Sequence, residues 1–315
     1  MSLPIESPIE PQLARSAGSI PTDGSWAYEP KLDGFRAIVF VDGDEVTIQS
    51  RGGKPLGRYF PELRFPPGRY VLDGEIVIER PDGREDFEAL QSRIHPAASR
   101  VALLAEEIPA TFCAFDLLAV DDEPLLDAPF AERRRRLEAL VAPPIRLTPL
   151  VGDPSAAERW LHDAEGVIAK DTAAPYRPGE RQGMVKIKRT RTIDCVVVGW
   201  RPGKADGTVG SLILGLYEPD GRLRVVGHSA GFTAKQKREL VVLLAPFESG
   251  ERGSADPSRW SADRELEWIA MRPELVVEVT FDHVSGGRIR HGAKTVRFRD
   301  DKAPSECTVD QLAAD

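Results

Sequence analysis

The strongest constraint on the fold is a succession of short apolar runs separated by turn residues. The segment RAIVFVDGDEVTIQSRGG (36–53) reads as two strands joined by an Asp-Gly hairpin turn, and RYVLDGEIVIER (69–80) as a further strand. PATFCAFDLLAV (109–120) and EGVIAKD (165–171) are typical of buried strands. The first part of the chain is therefore expected to be built mainly from β-sheet.

Two segments between these strands have helical spacing. EDFEALQSRI (85–94) predicts one helix, and PFAERRRRLEALV (129–141) predicts a second whose Leu137, Leu140 and Val141 face a core. We interpret the four arginines of the second helix, 133–136, as a solvated face, because surface helices usually direct charge to water. A DNA-contacting patch is the alternative.

The pattern changes near Thr190–Thr192. TIDCVVVGWRPG, GSLILGLYEPDG, RLRVVGHSAG and ELVVEVTF are short β-runs separated by glycine turns, with one helical insert, TAKQKRELVVLLAPF. Several strands at this spacing predict a small barrel. We therefore expect an α+β chain with one domain at 1–190 and a second at 191–315.

Composition sets limits on the function. No apolar run approaches the roughly 18–20 residues that span a bilayer, the N-terminus lacks the pattern of a secretory signal, and Cys113, Cys195 and Cys307 form no CxxC pair, so a reducing cytoplasm is expected. The net charge of −8 argues at first against nucleic acid. However, Glu180–Asp206 has seven basic and three acidic residues, and Gly286–Lys302 six and two, so local basic surfaces are expected.

Lys31 in YEPKLDGFRA (28–37) has the setting of a nucleophile. It precedes an Asp-Gly turn pair, which places it at the end of a strand and facing a cleft. A lysine attacks only through its neutral amine, and burial or neighbouring cations favour that form. Arg36 lies close enough in sequence to contact a phosphate or sugar. On this motif alone, an exposed lysine beside a hairpin turn remains the alternative.

Five further segments contain residue types suited to a nucleotide site. They are SRGGK with Arg51 and Lys54, VLDGEIV with Glu75 behind a second Asp-Gly turn, FCAFDLL with Phe115, EGVIAK with Glu165, and MVKIK with Lys186 and Lys188 on one strand face. In this order they resemble the nucleotidyltransferase motifs of the ATP-dependent DNA ligases. PELVVEVTF and the final RIRHGAKTVRFRDDK resemble that family's OB-fold domain and its last motif, so the resemblance covers nearly the whole chain.

The resemblance implies a role for each residue at the nucleotide. Lys31 is expected to attack the α-phosphate of ATP, expel pyrophosphate and hold AMP as a phosphoramidate. Glu29 would accept a hydrogen bond from the adenine edge or its neighbourhood, and Arg36 and Glu75 would hold the ribose and phosphate. Phe115 would stack on adenine, although the ring taken alone reads as a buried core aromatic.

The resemblance also implies where a metal ion and the triphosphate bind. Glu165, with Glu75, would hold Mg²⁺ or Mn²⁺, since carboxylate oxygens suit these cations. Lys186 and Lys188 would neutralise the triphosphate and the transition state at the α-phosphorus.

Four further cations are implied to contact phosphates. Arg51 would bind the 5′-phosphate of a nick, and Arg181 would add another phosphate contact. Arg299 and Lys302 would close over the nucleotide with the second domain, orient pyrophosphate and exclude water. A solvated basic C-terminal strand is the alternative for this last pair.

Two positions depart from the family pattern. Thr295 stands where many members have an aromatic residue, and Met184 where many have tryptophan. Neither change removes a catalytic group, but both are expected to alter packing near the nucleotide.

The resemblance predicts a nucleotidyltransferase (adenylation) domain with antiparallel sheets and flanking helices, followed by a β-barrel OB-fold domain. It implies a monomeric, cytoplasmic DNA ligase of the bacterial stand-alone C type that seals nicked duplex DNA in repair, with a repair polymerase or Ku as possible partners. Only 30 residues precede Lys31, so no large N-terminal DNA-binding domain is expected. An mRNA guanylyltransferase, an RNA ligase and a non-catalytic OB-fold DNA-binding protein are the alternatives.

Overall fold

A computed structural model of the chain describes residues 3–188, 191–253, 267–282, 284–289 and 292–312. It divides into two units, Met1–Arg189 and Thr190–Asp315. Thr190, at the predicted domain boundary, lies outside the described residues, as do Arg189 and Arg290 of the two basic stretches.

The first unit contains two sheets and short flanking helices. Its strands are β1 Arg15–Ala17, β2 Trp26–Pro30, β3 Phe35–Gly43, β4 Glu45–Ser50, β5 Gly68–Val77, β6 Thr111–Val120, β7 Glu123–Pro124, β8 Arg146–Leu147, β9 Val167–Asp171 and β10 Met184–Ile187. Its helices are α1 Phe87–Ser92, α2 Ala98–Glu107, α3 Phe130–Leu140, α4 Pro154–Ala157 and α5 Trp160–Asp163. The larger sheet has the order β4-β3-β5-β6-β7 with β8 beside β6, and the smaller has the order β1-β10-β9-β2.

The apolar run of β3 is uninterrupted because this strand is buried on both faces. Ala37, Val39 and Val41 belong to the core on one face, whereas Ile38 and Phe40 belong to a separate cluster on the other. Alternate side chains of a strand point to opposite faces, so a strand covered on both sides has no polar positions to alternate with apolar ones.

The two Asp-Gly pairs of the larger sheet have different structures. Asp42-Gly43 forms the predicted hairpin, with Asp42 opposite Glu45 and Gly43 at a φ of 67°. The second predicted turn is wrong, because Asp73 and Gly74 lie inside the continuous strand β5. Gly74 is required there by close packing, since a Cβ atom would lie 2.5 Å from the Cys113 carbonyl oxygen.

Helix α3 corrects the interpretation of the arginine run. Arg135 and Arg136 are partly or largely exposed, but Arg133 and Arg134 are buried. Arg133 forms a two-point ion pair with buried Asp116, at 2.7 and 3.0 Å. Half of the run therefore belongs to the interior of the fold rather than to a solvated face. Leu137 is fully buried, as predicted.

The second unit is built around one antiparallel sheet. Its strands are β11 Arg191–Pro202, β12 Val209–Tyr217, β13 Leu223–Ser229, β14 Glu248–Gly253, β15 Trp268–Met271, β16 Val276–Phe281, β17 Val284–Ser285, β18 Arg288–Ile289 and β19 Lys294–Phe298. The order is β13-β12-β11-β15-β14, with β16 pairing both β11 and β19. The predicted helical insert is α6, Ala234–Leu244, and a capping box between Thr233 and Gln236 starts it.

The three cysteines are free and buried, one in the first unit and two in the second. In the described part of the chain, no helix combines the length and apolarity needed to cross a membrane.

The buried pair of Asp116 and Arg133 leads to a stability prediction. Asp116→Ala leaves a guanidinium that is 2% exposed without its counter-charge, and is expected to lower the free energy of unfolding by about 3–5 kcal/mol. Glu132→Ala removes the carboxylate that pairs with exposed Arg135 on the same helix, and is expected to cost less than about 1 kcal/mol. Urea denaturation of both variants compares the costs, and equal costs would contradict the prediction.

Candidate active site

The two sheets of the first unit line a cavity of about 750 Å³. The smaller sheet contributes Glu29 of β2, Lys170 of β9 and Lys186 of β10 to its wall, and the larger contributes Arg36 of β3 and Glu75 of β5. Its volume is within the range of about 300–1,000 Å³ typical of small-molecule sites.

Lys31 lies at the end of β2, where its amide donates to the Gly166 carbonyl at 2.9 Å. Gly166 has a φ of 143°, and a Cβ atom there would lie 2.1 Å from the Ile187 oxygen, so only glycine allows β9 to begin this close to β10. This close approach places Glu165 between two amines. It contacts the Lys31 ammonium and pairs with Lys188 at 2.9 Å.

Charge at this end of the cavity is strongly coupled. Burial alone would raise the pKa of Glu165, but the positive charges and hydrogen bonds of Lys31 and Lys188 outweigh it and lower that pKa. Burial, followed by the charges of Lys188 and Lys31, lowers the pKa of Lys186.

The cavity attracts anions. Among the described residues that line it, seven are basic and three acidic; the basic ones are Lys31, Arg36, Arg51, Lys54, Lys170, Arg181 and Lys186. Burial raises the pKa of Glu75 to about 8, against the opposing charges of Arg36 and Lys31, so this carboxyl is mainly protonated at neutral pH. The cavity therefore suits a multiply charged anion such as a triphosphate.

Arg36 is held rigidly from behind. Its guanidinium binds both oxygens of fully buried Asp73, at 2.7 and 2.6 Å. The Tyr176 hydroxyl donates to the same carboxylate at 2.7 Å and accepts from the Gln12 amide at 2.9 Å. Such two-point charge-assisted bonds fix the plane of a guanidinium as well as its position.

Phe115 reaches the cavity because β6 is irregular at this point. Asp116 lies opposite Asp73, but Ala114 lies opposite Gly74, so Phe115 is an extra residue in a bulge. Bulges re-aim side chains in this way. Two cations lie close to its ring, the Arg36 guanidinium at 4.7 Å and the Lys170 ammonium at 4.5 Å from the centroid.

Glu29 is buried and surrounded by donors. One carboxylate oxygen accepts from Arg134 at 3.0 Å and from the Thr148 hydroxyl at 3.1 Å. The other pairs with Lys170 at 2.8 Å. Lys170 also donates to the Phe115 carbonyl at 3.0 Å, which joins the two sheets across the cavity.

Arg299 and Lys302 lie in the second unit and converge on one acid. Asp194 of β11 accepts from Arg299 at 3.1 Å and pairs with Lys302 at 2.9 Å. Asp301 also pairs with Arg299, at 2.8 Å. Thr295, the position of the expected aromatic, instead shares a 2.8 Å hydrogen bond with Ser229. Arg297, from the same basic stretch, pairs with Glu278 at 2.7 Å, so this stretch is partly neutralised by its own unit.

The structure brings most of the predicted site residues together. Eight of them line the one cavity, and they are Glu29, Lys31, Arg36, Arg51, Glu75, Phe115, Arg181 and Lys186. Glu165 and Lys188 join them through their contacts around Lys31. Met184, the position of the expected tryptophan, also lines this cavity.

Sequence reasoning missed Asp73, Tyr176, Lys170, Arg134 and Thr148. Lys170 ends EGVIAKD, on the strand face of Ile168, which also lines the cavity, so strand alternation could have found it. The spacing of Phe130 and Leu137 indicates that Arg134 lies on the buried face of its helix, but not which side chain it binds. The other three act on side chains far away in sequence, and the segments that contain them give no local signal.

The chain belongs to the ATP-dependent DNA ligases. The family model described as "ATP dependent DNA ligase domain" matches residues 11–188, and "ATP dependent DNA ligase C terminal region" matches residues 205–302. The resemblance inferred from the six motifs is thereby confirmed, and the protein is a DNA ligase that depends on ATP.

Similar proteins agree with this assignment. DNA ligase C1 of Mycolicibacterium smegmatis is 46% identical over 99% of this chain and 96% of the relative. DNA ligase C of Mycobacterium tuberculosis is 43% identical over the same shares. The solved ligase domain of M. tuberculosis LigD is 31% identical, with a TM-score of 0.54 over 95% of this chain and 98% of that one. The fold is accordingly the nucleotidyltransferase fold of a ligase domain.

The support behind Arg36 can be tested by removing one hydroxyl. Tyr176→Phe takes one donor from fully buried Asp73 and the acceptor from the Gln12 amide, and is expected to lower the free energy of unfolding by about 1–3 kcal/mol in urea denaturation. Tyr70→Phe is the matched control, since that hydroxyl makes one neutral bond, to the Pro66 carbonyl at 2.6 Å, and is expected to cost less. A Tyr176→Phe cost no larger than the control's would show that Asp73 does not need this donor.

Proposed function

We propose that this ligase seals nicks in duplex DNA through AMP bound covalently to Lys31. The observation that carries the proposal is the position of Lys31, which lines a cation-rich cavity beside an aromatic ring and ends a strand that also contains Glu29. A triphosphate, a purine and a reactive amine can be accommodated together there.

In the first step the Lys31 amine forms a P–N bond with the α-phosphorus of ATP, the bond to the β-phosphate breaks, and pyrophosphate leaves. Attack requires a free lone pair on nitrogen, so the Lys31 ammonium first releases a proton to solvent and its contact with Glu165 opens. Lys186 and Lys188 neutralise the charge that develops on the phosphoryl oxygens.

Glu165 fits as the protein ligand of Mg²⁺ or Mn²⁺ better than Glu75 does. In the described residues, no group of three or more acidic, histidine or cysteine side chains forms a ready metal site. Burial raises the pKa of Glu75, whereas the neighbouring cations lower that of Glu165, so the ionised form that a cation binds is favoured at Glu165. Mg²⁺ is commonly held by one or two carboxylates together with substrate phosphates and water. Such an ion would supply charge neutralisation on the triphosphate.

Glu29 accepts from the adenine edge, Phe115 stacks on the base, and Arg36 and Glu75 hold the ribose and phosphate. In the second step AMP passes from Lys31 to the 5′-phosphate of the nick, which Arg51 and Arg181 bind; both side chains are exposed at the cavity. In the third step the 3′-hydroxyl attacks that phosphate, the new phosphodiester forms, and AMP leaves.

The division of labour follows the two units. Residues 1–190 form the adenylation domain and 191–315 an OB-fold domain, a proposal supported by the two compact units and by the β-rich second one. Arg299 and Lys302 act on pyrophosphate during the first step. Both pair with Asp194 in this structure, so this role requires them to leave that carboxylate.

For the biological setting we propose a monomeric ligase of the C type that acts in DNA repair at the bacterial nucleoid, with a repair polymerase or Ku as partner. The names of the relatives support the C type. Incubation with labelled ATP and labelled GTP separates a ligase from an mRNA guanylyltransferase, since a label acquired only from GTP would reject the proposal.

The nucleophile is tested by Lys31→Ala. This variant is expected to form no covalent AMP adduct from labelled ATP, because no other amine supplies the nitrogen of the P–N bond. It is expected still to seal a nick that already carries AMP on its 5′-phosphate. Lys235→Ala, with a side chain 81% exposed in the second unit, is the control and is expected to label normally. Adduct formation by Lys31→Ala would disprove the mechanism.

The role of the C-terminal pair is tested by Arg299→Ala. We expect at least a tenfold loss in the rate of Lys31 adenylation, because one phosphoryl contact is typically worth about 1.4 kcal/mol or more, and little change in the sealing of a pre-adenylated nick. Rapid-quench measurement of each step separates the two. Equal losses in both steps would assign Arg299 to DNA binding instead.

A further inference from the structure

The buried carboxylate of Glu29 is held by two hydrogen bonds and one ion pair, which together leave it little freedom. Arg134 and the Thr148 hydroxyl donate to one oxygen, and Lys170 pairs with the other. The side chains of Glu29, Arg134 and Lys170 are 3%, 7% and 6% exposed. A carboxylate held this way cannot rotate without leaving a buried guanidinium or ammonium unpaired, which is costly.

The two oxygens of the Glu29 carboxylate have different surroundings. Lys170 lines the cavity together with Glu29, whereas Arg134 and Thr148 are absent from the described residues that line it. The oxygen that accepts from Arg134 and Thr148 therefore faces the protein, and the oxygen that pairs with Lys170 lies on the side of the cavity.

Counting lone pairs shows what this carboxylate can still bind. An ionised carboxylate offers about four acceptor positions, two on each oxygen, and donates none. Arg134 and Thr148 occupy both positions on one oxygen, and Lys170 neutralises the other oxygen through an ion pair at 2.8 Å. The oxygen on the cavity side therefore keeps acceptor capacity that suits an N–H donor.

Adenine and guanine differ at C6 in whether the substituent donates or accepts a hydrogen bond. Adenine has an amino group at C6, which donates, whereas guanine has a carbonyl oxygen there, which only accepts. A fixed carboxylate binds the first and repels the second, and a site built to accept one hydrogen bond rejects a partner that cannot supply it. The discrimination depends on the carboxylate staying where it is.

We propose that Arg134 is a positioning residue that gives this ligase its preference for ATP over GTP, by fixing Glu29 so that its cavity-side oxygen meets the purine C6 substituent. The proposal rests on the proposed role of Glu29 at the adenine edge. Arg134 is suited to the task because its guanidinium also donates to the Thr148 carbonyl at 2.8 Å and to Glu138 at 2.7 Å, so the group that holds Glu29 is itself held.

The test compares two neighbouring arginines of α3. Arg134→Met and Arg135→Met remove the same charge from the same helix, but the Arg135 side chain is 70% exposed and pairs only with Glu132 among the described residues. Lys31 adenylation is followed with labelled ATP and labelled GTP to obtain kcat and KM for each. Arg134→Met is expected to raise the KM for ATP about tenfold or more, because the Arg134 guanidinium no longer orients the Glu29 carboxylate that accepts from the base.

The kinetic pattern separates positioning from general damage. Loss of base binding raises KM while kcat changes far less, and the ratio of kcat/KM for ATP to that for GTP falls about tenfold or more. Arg134→Lys is expected to recover part of that ratio, since lysine keeps a cation but cannot reach Glu29 and Thr148 with one planar group. Arg135→Met is expected to keep the wild-type values. An unchanged ratio in Arg134→Met would overturn the proposal.

Two further variants keep the test decisive. If Arg134→Met does not fold, as judged by thermal unfolding, Thr148→Val replaces it, because it removes the other donor to the same oxygen. An unchanged ratio of kcat/KM for ATP to that for GTP in Thr148→Val also overturns the proposal.

Glu29→Gln separates the proposed role of Glu29 at adenine from the positioning role of Arg134. If it leaves the ratio unchanged, the adenine role of Glu29 fails; if it lowers the ratio but Arg134→Met does not, only the positioning role of Arg134 fails.

Discussion

The site depends on one carboxylate placed between two amines. Without Glu165, Lys31 and Lys188 would stand beside Lys186 as unscreened positive charges, and like charges this close repel strongly in a partly buried setting. Glu165 lets the first unit fold with its cations assembled before any anion arrives. The contact also restrains Lys31, our proposed nucleophile, because an amine that holds Glu165 cannot attack phosphorus at the same time.

The same principle extends through the first unit. Buried cations here have their own acids: Arg133 has Asp116, Arg36 has Asp73, and Arg134 shares Glu29 with Lys170. These pairs neutralise charge inside the fold, so the excess positive charge is concentrated on the wall of the cavity. Because ion pairs of this kind contribute little net stability compared with apolar packing, their value lies in fixing the orientation of the groups that line the cavity.

Local patterns predicted the strands and one hairpin, because the apolar runs and the Asp42-Gly43 turn act within a few residues. They failed at Asp73-Gly74, where the same dipeptide lies in a straight strand because a neighbouring strand packs closely against it. The glycine of the dipeptide offers both a flexible backbone, which a turn needs, and the lack of a side chain, which close packing needs. The tertiary fold decides which of the two properties matters at each position.

The arginine run of α3 shows how much of the site could be predicted from the sequence. Phe130, Arg133, Arg134 and Leu137 are the buried residues of α3, spaced as one face of a helix. The apolar ends of that face therefore indicated that the two arginines between them point inward. Their partners could not be inferred, since Asp116 and Glu29 lie 17 and 105 residues away and meet the helix only in the folded chain.

The bulge at Phe115 has a consequence for how such an enzyme can vary. A residue outside the ladder of paired backbone groups does not carry the register of its strand, so its side chain can change size or chemistry while Ala114 and Asp116 keep their partners. The part of the cavity wall that we propose to stack on the base is in this way mechanically separate from the sheet that supports it. Substrate preference can therefore evolve at this position without a matching repair of the core.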